Sequence, residues 1–142
     1  RGKISRGENY RGLPYMILDA PAVFEKESVF AYRSLMLWGH PFSLTFQISG
    51  RFSDQYLQRI FQNLNQLPAA TLVCINKNPW EHHFEKDNVT PLPEFLLSAD
   101  NRIQFFSQKG FFKVTLPVSV EASSHWKSTG LDFLKKIFML IK

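Results

Sequence analysis

The clearest pattern in the chain is a strict alternation of apolar and polar residues over positions 42–49. The apolar members of this alternation are Phe42, Leu44, Phe46 and Ile48. Because successive side chains of a strand point to opposite faces, the pattern predicts a strand with one buried face. Residues 32–38 are also strand-like, and the turn residues at 39–41 predict that the two segments form a hairpin.

Two other stretches repeat apolar residues at the helical spacing of three and four positions. The first stretch contains Tyr56, Leu57, Ile60, Phe61, Leu64 and Leu67. Ser53 is positioned to cap the start of this helix, and Pro68 ends it. The second stretch, residues 131–141, carries Leu131, Leu134, Ile137, Phe138 and Ile141. A helix with one apolar face packs that face against another element, and a sheet is the expected partner.

Shorter apolar segments predict additional strands. Residues 15–18 and 71–75 are apolar runs bounded by turn residues, and residues 102–107 and 111–118 flank a turn that contains glycine and so predict a second hairpin. Residues 25–31 fit one or two helical turns. Together these elements predict an α+β fold, with a mainly antiparallel sheet of about five strands and two principal helices packed on it.

The length of 142 residues predicts a single domain over residues 1–142. Residues 1–14 contain three glycines and little periodic apolar pattern, so we interpret them as an extended lead-in. Hydrophobic residues make up 44% and charged residues 20% of the chain, which is a globular composition. The 14 phenylalanines favour a Phe-rich core over an aromatic-lined ligand cavity, although the two are compatible.

The net charge of +5 permits contact with nucleic acid or with an anionic membrane. The basic residues are dispersed along the chain, however, so nucleic acid is not the favoured partner. The single cysteine, Cys74, lies in an apolar run and is expected to be a small buried hydrophobe. A chain with one cysteine fits a reducing compartment, and no apolar stretch has the length of a membrane span, so the expected location is the cytoplasm.

Residues 76–93 are polar, aromatic and proline-bearing, which predicts a long ordered loop of the kind that often carries function. Its candidate functional residues are Trp80, His82, His83, Glu85 and Asp87. Imidazole and carboxylate groups are ligands for divalent metals and agents of proton transfer. Adjacent histidines point in different directions, however, and the HExxH zinc pattern is absent. We therefore favour one hydrogen-bonded and one solvated histidine with exposed acids, and keep a metal site of His82, His83 and Glu85 as the alternative.

The lead-in contributes a second candidate binding surface. It contains Tyr10 and Arg11 among several glycines, and Tyr15 follows directly after it. Glycine lets backbone N–H groups approach a phosphate closely, but the spacing of a phosphate-binding loop and the strand that precedes one are missing. We interpret the segment as a structured or mobile arm.

Two motifs resemble those of a known group of sequences. Residues 3–15 read KISRGENYRGLPY, and residues 79–85 read PWEHHFE. The chain resembles an uncharacterised family of bacterial proteins with a GENYxGLPY opening and a similar second motif. That resemblance implies a bacterial, cytosolic protein whose present start lies downstream of a helical region, and it implies no activity.

The leading functional hypothesis is a non-catalytic binding or protein-interaction module. In it, the loop of residues 76–93 and the lead-in at residues 10–15 form one surface beside the sheet and bind a small molecule or a protein. The alternative is a metal-dependent or acid–base enzyme that uses His82, His83, Glu85 and Asp87. No cofactor is predicted beyond the divalent metal of that alternative. A third hypothesis is nucleic-acid binding through the basic arm and exposed aromatic residues.

Overall fold

A computed structural model describes residues 3–10, 13–37, 41–81, 83–97, 102–119 and 125–141. Within these residues the strands are β1 (Lys3–Tyr10), β2 (Leu13–Phe24), β3 (Val29–Leu37), β4 (Phe42–Ser49), β5 (Leu72–Cys74), β6 (Val89–Pro91) and β7 (Phe111–Val118). The helices are α1 (Arg51–Asn63), which continues into one 3-10 turn at Leu64–Gln66, α2 (Leu92–Leu97), α3 (Arg102–Lys109) and α4 (Trp126–Ile141). The predicted α+β class is confirmed. The described part of the chain contains seven strands and four helices, rather than about five strands and two principal helices.

The described strands form one antiparallel sheet in the order β1-β2-β3-β4-β7-β5-β6. The first four strands follow one another as a meander, and the predicted hairpin of β3 and β4 is confirmed by pairing from Phe30↔Ile48 to Leu35↔Ser43. The chain then leaves the sheet through α1 and later returns β7 beside β4. Among the described residues, no helix combines the length and apolarity needed to cross a membrane.

The helices cover one face of the sheet. This face is formed by rows of apolar side chains that run across neighbouring strands. One such row runs across four strands through Tyr32, Phe46, Val114 and Val73. The alternation that predicted β4 is borne out, because Leu44, Phe46 and Ile48 are buried in the core. The α1 repeat faces the core as predicted, with Leu57 and Ile60 buried. The face predicted for α4 is only partly right, because Ile137 is buried whereas Leu131 and Phe138 are exposed, and Phe133 and Leu140 face the core instead. The core is Phe-rich, as predicted.

The strand predicted for residues 102–107 is wrong, because α3 occupies this segment and β7 pairs with β4 and β5 instead. Phe106 explains the outcome. Its ring is 1% exposed and lies 5.4 Å from the ring of Phe61, 5.6 Å from Phe95 and 5.2 Å from Phe112, measured between centroids. A short apolar run fits a strand or a helix equally, and tertiary packing of this kind decides between them.

Near the start of the chain, the structure corrects one expectation about local structure and makes another more specific. Residues 25–31 form no helix, because a turn in which Glu25 N–H donates to the carbonyl of Ser28 at 2.8 Å leads into β3. The extended lead-in is a sheet strand, β1, over most of its length. Its pairing with β2 runs from Lys3↔Asp19 to Tyr10↔Leu13, with a register shift after Gly7. Backbone pairing needs no apolar alternation, so the sequence carried little sign of it.

The capping role predicted for Ser53 is also wrong, because α1 begins two residues earlier. Its N-cap is Gly50, with a positive φ of 60° and no side chain to accept a hydrogen bond. The cap comes instead from the β2–β3 turn, where Ser28 Oγ accepts a hydrogen bond from Arg51 N–H at 3.0 Å. Gly50 is required at this point, because a Cβ built on it would overlap the carbonyl oxygen of Glu27. Ser53 therefore lies within the first helical turn.

Candidate functional site

The face of the sheet that the helices leave uncovered carries buried polar side chains. Asp19, Arg33, Thr45 and Thr115 lie side by side on four successive strands. Arg33 donates two hydrogen bonds to the Asp19 carboxylate, at 2.6 and 3.1 Å, and Thr45 Oγ1 donates to Thr115 Oγ1 at 2.9 Å. All four residues are less than 10% exposed. Because buried charges and hydroxyls are stable only when paired, this row gives the face a fixed polar surface.

Lys113 fastens a loop to this polar face. We call residues 76–88 the 76–88 loop, since β6 begins at Val89. The ammonium group of Lys113 donates to the carbonyl of Pro79 at 2.8 Å and to the carbonyl of Glu81 at 2.6 Å. The residue is 3% exposed, and burial lowers the pKa of its ammonium group to about 8. Carbonyl dipoles therefore supply the interactions that water gives an exposed lysine.

Asn88 closes the same loop from its other end. Its side chain is 1% exposed, and Nδ2 donates to the carbonyl of His83 at 2.6 Å. Its own carbonyl accepts the N–H of Ile75 at 2.7 Å. The thiol of Cys74 donates to Asn88 Oδ1 at 3.7 Å, and Cys74 is buried as predicted. Specific hydrogen bonds therefore join the 76–88 loop both to the end of β5 and, through Lys113, to β7.

The first half of the loop presents Trp80. Two consecutive Asx turns shape the approach to it: Asn76 Oδ1 accepts the N–H of Asn78 at 2.8 Å, and Asn78 Oδ1 accepts the N–H of Trp80 at 3.0 Å. The guanidinium carbon of Arg33 lies 5.4 Å from the centre of the indole ring, which is a cation–π contact. Trp80 remains 47% exposed. The indole is therefore held on the sheet while much of it still faces solvent.

The second half of the loop surrounds a buried imidazole with carboxylates. His83 is 5% exposed, and its Nε2 lies 3.6 Å from Glu81 Oε2. Its Nδ1 lies 3.8 Å from Glu85 Oε2 and 3.9 Å from Asp87 Oδ1. Glu85 and Asp87 are both largely exposed, with 70% and 69% of their side-chain surface accessible. The cluster therefore shows carboxylates to solvent and keeps the imidazole beneath them.

One hydrogen bond orients the His83 ring. Nδ1 accepts the backbone N–H of Glu85 at 3.2 Å, so this nitrogen carries no proton and the proton of a neutral ring lies on Nε2. Ligand atoms of His83, Glu85 and Asp87 all lie within 4.8 Å of one another. The arrangement can hold a cation between Nδ1 and the two exposed acids, in place of the Glu85 N–H.

The structure brings together a part of the predicted site. His83, Glu85 and Asp87 converge, and Trp80 lies in the same loop, whereas His82 lies outside the described residues. The loop is shorter than the predicted 76–93, because β6 and α2 occupy its last part.

The second candidate surface lies where the end of β1 pairs with the start of β2. Tyr10 pairs with Leu13, Tyr15 pairs with Leu37, and Arg11 lies outside the described residues. For Tyr10 and Tyr15 the backbone alone is described. That this segment joins the loop in one surface stays a prediction.

The sequence patterns did not identify the sheet residues that contact the 76–88 loop. Lys113 and Arg33 lie far from residues 76–88 in the sequence and meet them only because β3 and β7 lie in one sheet. A partial signal existed for Lys113. The alternation around it places Phe112 and Val114 in the core, and Lys113 must then point to the opposite face. Nothing in that pattern indicates that the opposite face is covered.

Comparison of the chain with protein-family models, with curated proteins and with solved structures finds no match. The function must therefore be inferred from the geometry and chemistry of the loop.

The buried state of Lys113 predicts an unusual pH dependence of stability. Because the folded pKa of about 8 lies below the ordinary value of 10.5, the unfolded chain binds more protons between these pH values. The free energy of unfolding should then rise with pH in this window, by about 2 kcal/mol from pH 8 to pH 10 from Lys113 alone. Lys109, whose pKa burial also lowers to about 8, adds in the same direction. Burial of Tyr32 raises its pKa, and because an unfolded tyrosine ionises at about pH 10, this residue opposes the trend at the upper end of the window.

Urea unfolding over this pH range measures the effect. Lys113→Met should flatten the rise relative to the wild type, whatever its absolute stability. The matched control is Lys86→Met, because Lys86 lies in the same loop and is exposed. Equal slopes for wild type and Lys113→Met would contradict a buried, protonated Lys113.

Proposed function

We propose that this chain is a non-catalytic binding module, and that the 76–88 loop is the part that contacts its ligand. The observation that carries the proposal is the way the loop is held. Lys113 and Asn88 anchor its backbone through four short contacts to Pro79, Glu81, His83 and Ile75. A loop fixed in this way loses little conformational entropy when it binds, which is the physical advantage of preorganisation.

The groups that this loop shows to solvent indicate the chemistry of the ligand. Trp80 offers a half-exposed indole, and Glu85 and Asp87 offer exposed carboxylates. An aromatic ring and carboxylates both attract a cationic group, the first through its quadrupole and the second through charge. A lysine or arginine side chain of a partner protein matches these groups.

The burial of His83 favours binding over acid–base catalysis by this residue. A general base must come within hydrogen-bonding reach of its substrate. Here the imidazole is 5% exposed, and carboxylates lie between 3.6 and 3.9 Å from its two nitrogens. The ring supports the loop from within, and the carboxylates are the groups that a ligand meets first.

A nitrogen-15 NMR titration with a short peptide of alternating lysine and glycine tests this proposal. The peptide should shift the indole N–H of Trp80 and the amides of Glu85 and Asp87, with an affinity on the order of millimolar because exposed ion pairs are weak. Trp80→Ala, and the double variant Glu85→Gln with Asp87→Asn, should weaken binding by about threefold or more.

The control variant is Glu94→Gln, since Glu94 is an exposed acid in α2, outside the loop. It should bind the peptide as the wild type does. A peptide of alternating glutamate and glycine should cause no shifts in the loop. The proposal fails if the two peptides act alike, or if the loop variants bind as tightly as the wild type.

The His83 cluster supports a second candidate function, the binding of a divalent cation. Its support is the convergence of Nδ1 with two exposed carboxylates within 4.8 Å. A tetrahedral ion with ligand bonds of about 2.1 Å keeps its ligand atoms about 3.4 Å apart. The carboxylate distances to Nδ1 are 3.8 and 3.9 Å, so small side-chain rotations of Glu85 and Asp87 would suffice. The ion would also displace the Glu85 N–H from Nδ1.

Calorimetric titration with Zn²⁺ and with Mn²⁺, together with metal analysis of the purified protein, tests this candidate. One ion per chain should bind, and both His83→Ala and the double variant Glu85→Gln with Asp87→Asn should abolish binding. The double variant changes exposed residues, so its result does not depend on the fold surviving the loss of a buried ring.

The matched control is His125→Ala, because His125 is an exposed histidine before α4. A parallel His82→Ala variant shows whether the neighbouring histidine belongs to the site. Stoichiometric binding that survives the double variant would exclude this cluster as the metal site.

A further inference from the structure

A cleft of about 340 Å³ lies on the helical side of the molecule, away from the 76–88 loop. We call it the α1–α3 cleft, because it is lined by Gly50, Ser53, Asp54, Leu57 and Gln58 at the start of α1 and by Phe106, Ser107 and Gly110 at the end of α3. Its volume falls within the range of small-molecule sites.

One residue that lines the cleft, Ser53, has a buried hydroxyl without a hydrogen-bond partner among the described residues. Ser53 is 9% exposed, and its Oγ is one of two buried side-chain oxygens without a partner among the described residues. Ser53, Asp54, Leu57 and Gln58 share one face of α1, so the Ser53 side chain lies on the face that lines the cleft. A buried hydroxyl without a hydrogen-bond partner lowers the stability of the fold, and a ligand that forms a hydrogen bond with it removes this penalty. Because Ser53 lines the cleft, rotation about χ1 is the movement by which this hydroxyl would reach a ligand there.

The ends of two helices add backbone polarity to the same cleft. At the start of α1, the N–H of Arg51 is taken by Ser28 Oγ and that of Asp54 by the Gly50 carbonyl. The intervening amides of Phe52 and Ser53 have no acceptor within the helix, as in any first turn. At the other wall, the last turn of α3 presents carbonyls, of which that of Phe106 accepts the N–H of Gly110 at 3.0 Å. The start of α1 therefore carries backbone donors, and the end of α3 carries backbone acceptors.

The side chains of the cleft narrow the class of ligand. Ser53 and Ser107 supply hydroxyls, Gln58 an amide and Asp54 a carboxylate, and Leu57 and Phe106 supply apolar surface. An anion would meet the Asp54 carboxylate, with no cation among the described lining residues. A cation would meet the positive end of the α1 dipole. A neutral molecule with several hydroxyl groups meets neither obstacle, and each hydroxyl both donates and accepts.

We propose that the α1–α3 cleft binds a small neutral polyhydroxylated molecule, of the size of a monosaccharide or an inositol. Ser53 and Asp54 hydrogen-bond its hydroxyl groups, and the apolar floor of the cleft contacts its C–H surface. This site is separate from the 76–88 loop, so a negative result for the cleft does not affect the binding function proposed for the loop.

Nitrogen-15 NMR titration with D-glucose, D-galactose, D-ribose and myo-inositol tests the proposal. At least one of the four should shift the amides of Ser53, Asp54, Gln58 and Ser107. Ser53→Ala should weaken that binding by about fivefold or more, the cost of one hydrogen bond. The same variant without ligand should be at least as stable as the wild type in urea, because its hydroxyl has no partner to lose.

The matched control is Ser128→Ala, since the Ser128 hydroxyl lies on α4 and donates to the carbonyl of His125 at 3.0 Å. It should bind the ligand as the wild type does. Three results would overturn the proposal: none of the four molecules shifts the cleft amides, Ser53→Ala binds as tightly as the wild type, or Ser53→Ala is less stable than the wild type without ligand.

Discussion

A buried ammonium group joins the sheet to the loop on which the proposed function depends. Lys113, on strand β7, donates to two carbonyls of the 76–88 loop, at 2.8 and 2.6 Å. A charge buried to this extent is stable only with such partners. The same contacts that satisfy the lysine also fix the backbone on either side of Trp80, so the display of the indole follows from an electrostatic requirement of the sheet.

The two faces of the sheet have different roles because the rows that face the helices are apolar, whereas the opposite face carries several buried polar residues. The apolar rows pack against α1 and α4, and stability comes mainly from their burial. The opposite face carries the Asp19–Arg33 pair, the two threonines and Lys113, and the loop contacts Arg33 and Lys113. A buried ion pair adds little to net stability. Its consequence here is positional, because Arg33 is held where it contacts the Trp80 ring.

Periodicity explains which elements could be predicted from the sequence. The alternation in β4 and the helical repeats in α1 and α4 extend over enough residues to fit one structure only. Residues 102–107 form a run too short for that, and the ring of Phe61 on α1 helps to decide their conformation. The cap of α1 was missed for a similar reason, since its acceptor is Ser28, which lies 23 positions before Arg51.

The candidate site likewise contains some residues that a local sequence pattern could predict and others that it could not. His83, Glu85 and Asp87 are near one another in the sequence, so a local pattern could group them. Their carboxylates and imidazole meet because the Glu85 N–H binds Nδ1 of His83 within a single turn. Lys113 and Arg33 reach the loop from other strands, and only the pairing of β3 and β7 with β4 brings them there. Burial of a polar face is a property of the assembled sheet, and no local pattern encodes it.

The most direct test of a preorganised loop is amide hydrogen exchange of residues 75–89 in the wild type and in Lys113→Met, with Lys86→Met as the control. In the wild type, the amides of Ile75, Asn88 and Val89 should exchange slowly, because each donates to a carbonyl of the loop. Loss of Lys113 should speed exchange in the loop and leave the amides of β4 protected. If the wild-type loop amides exchange at the rate of an unstructured peptide, the loop is not held in advance, and binding through a preorganised loop is contradicted.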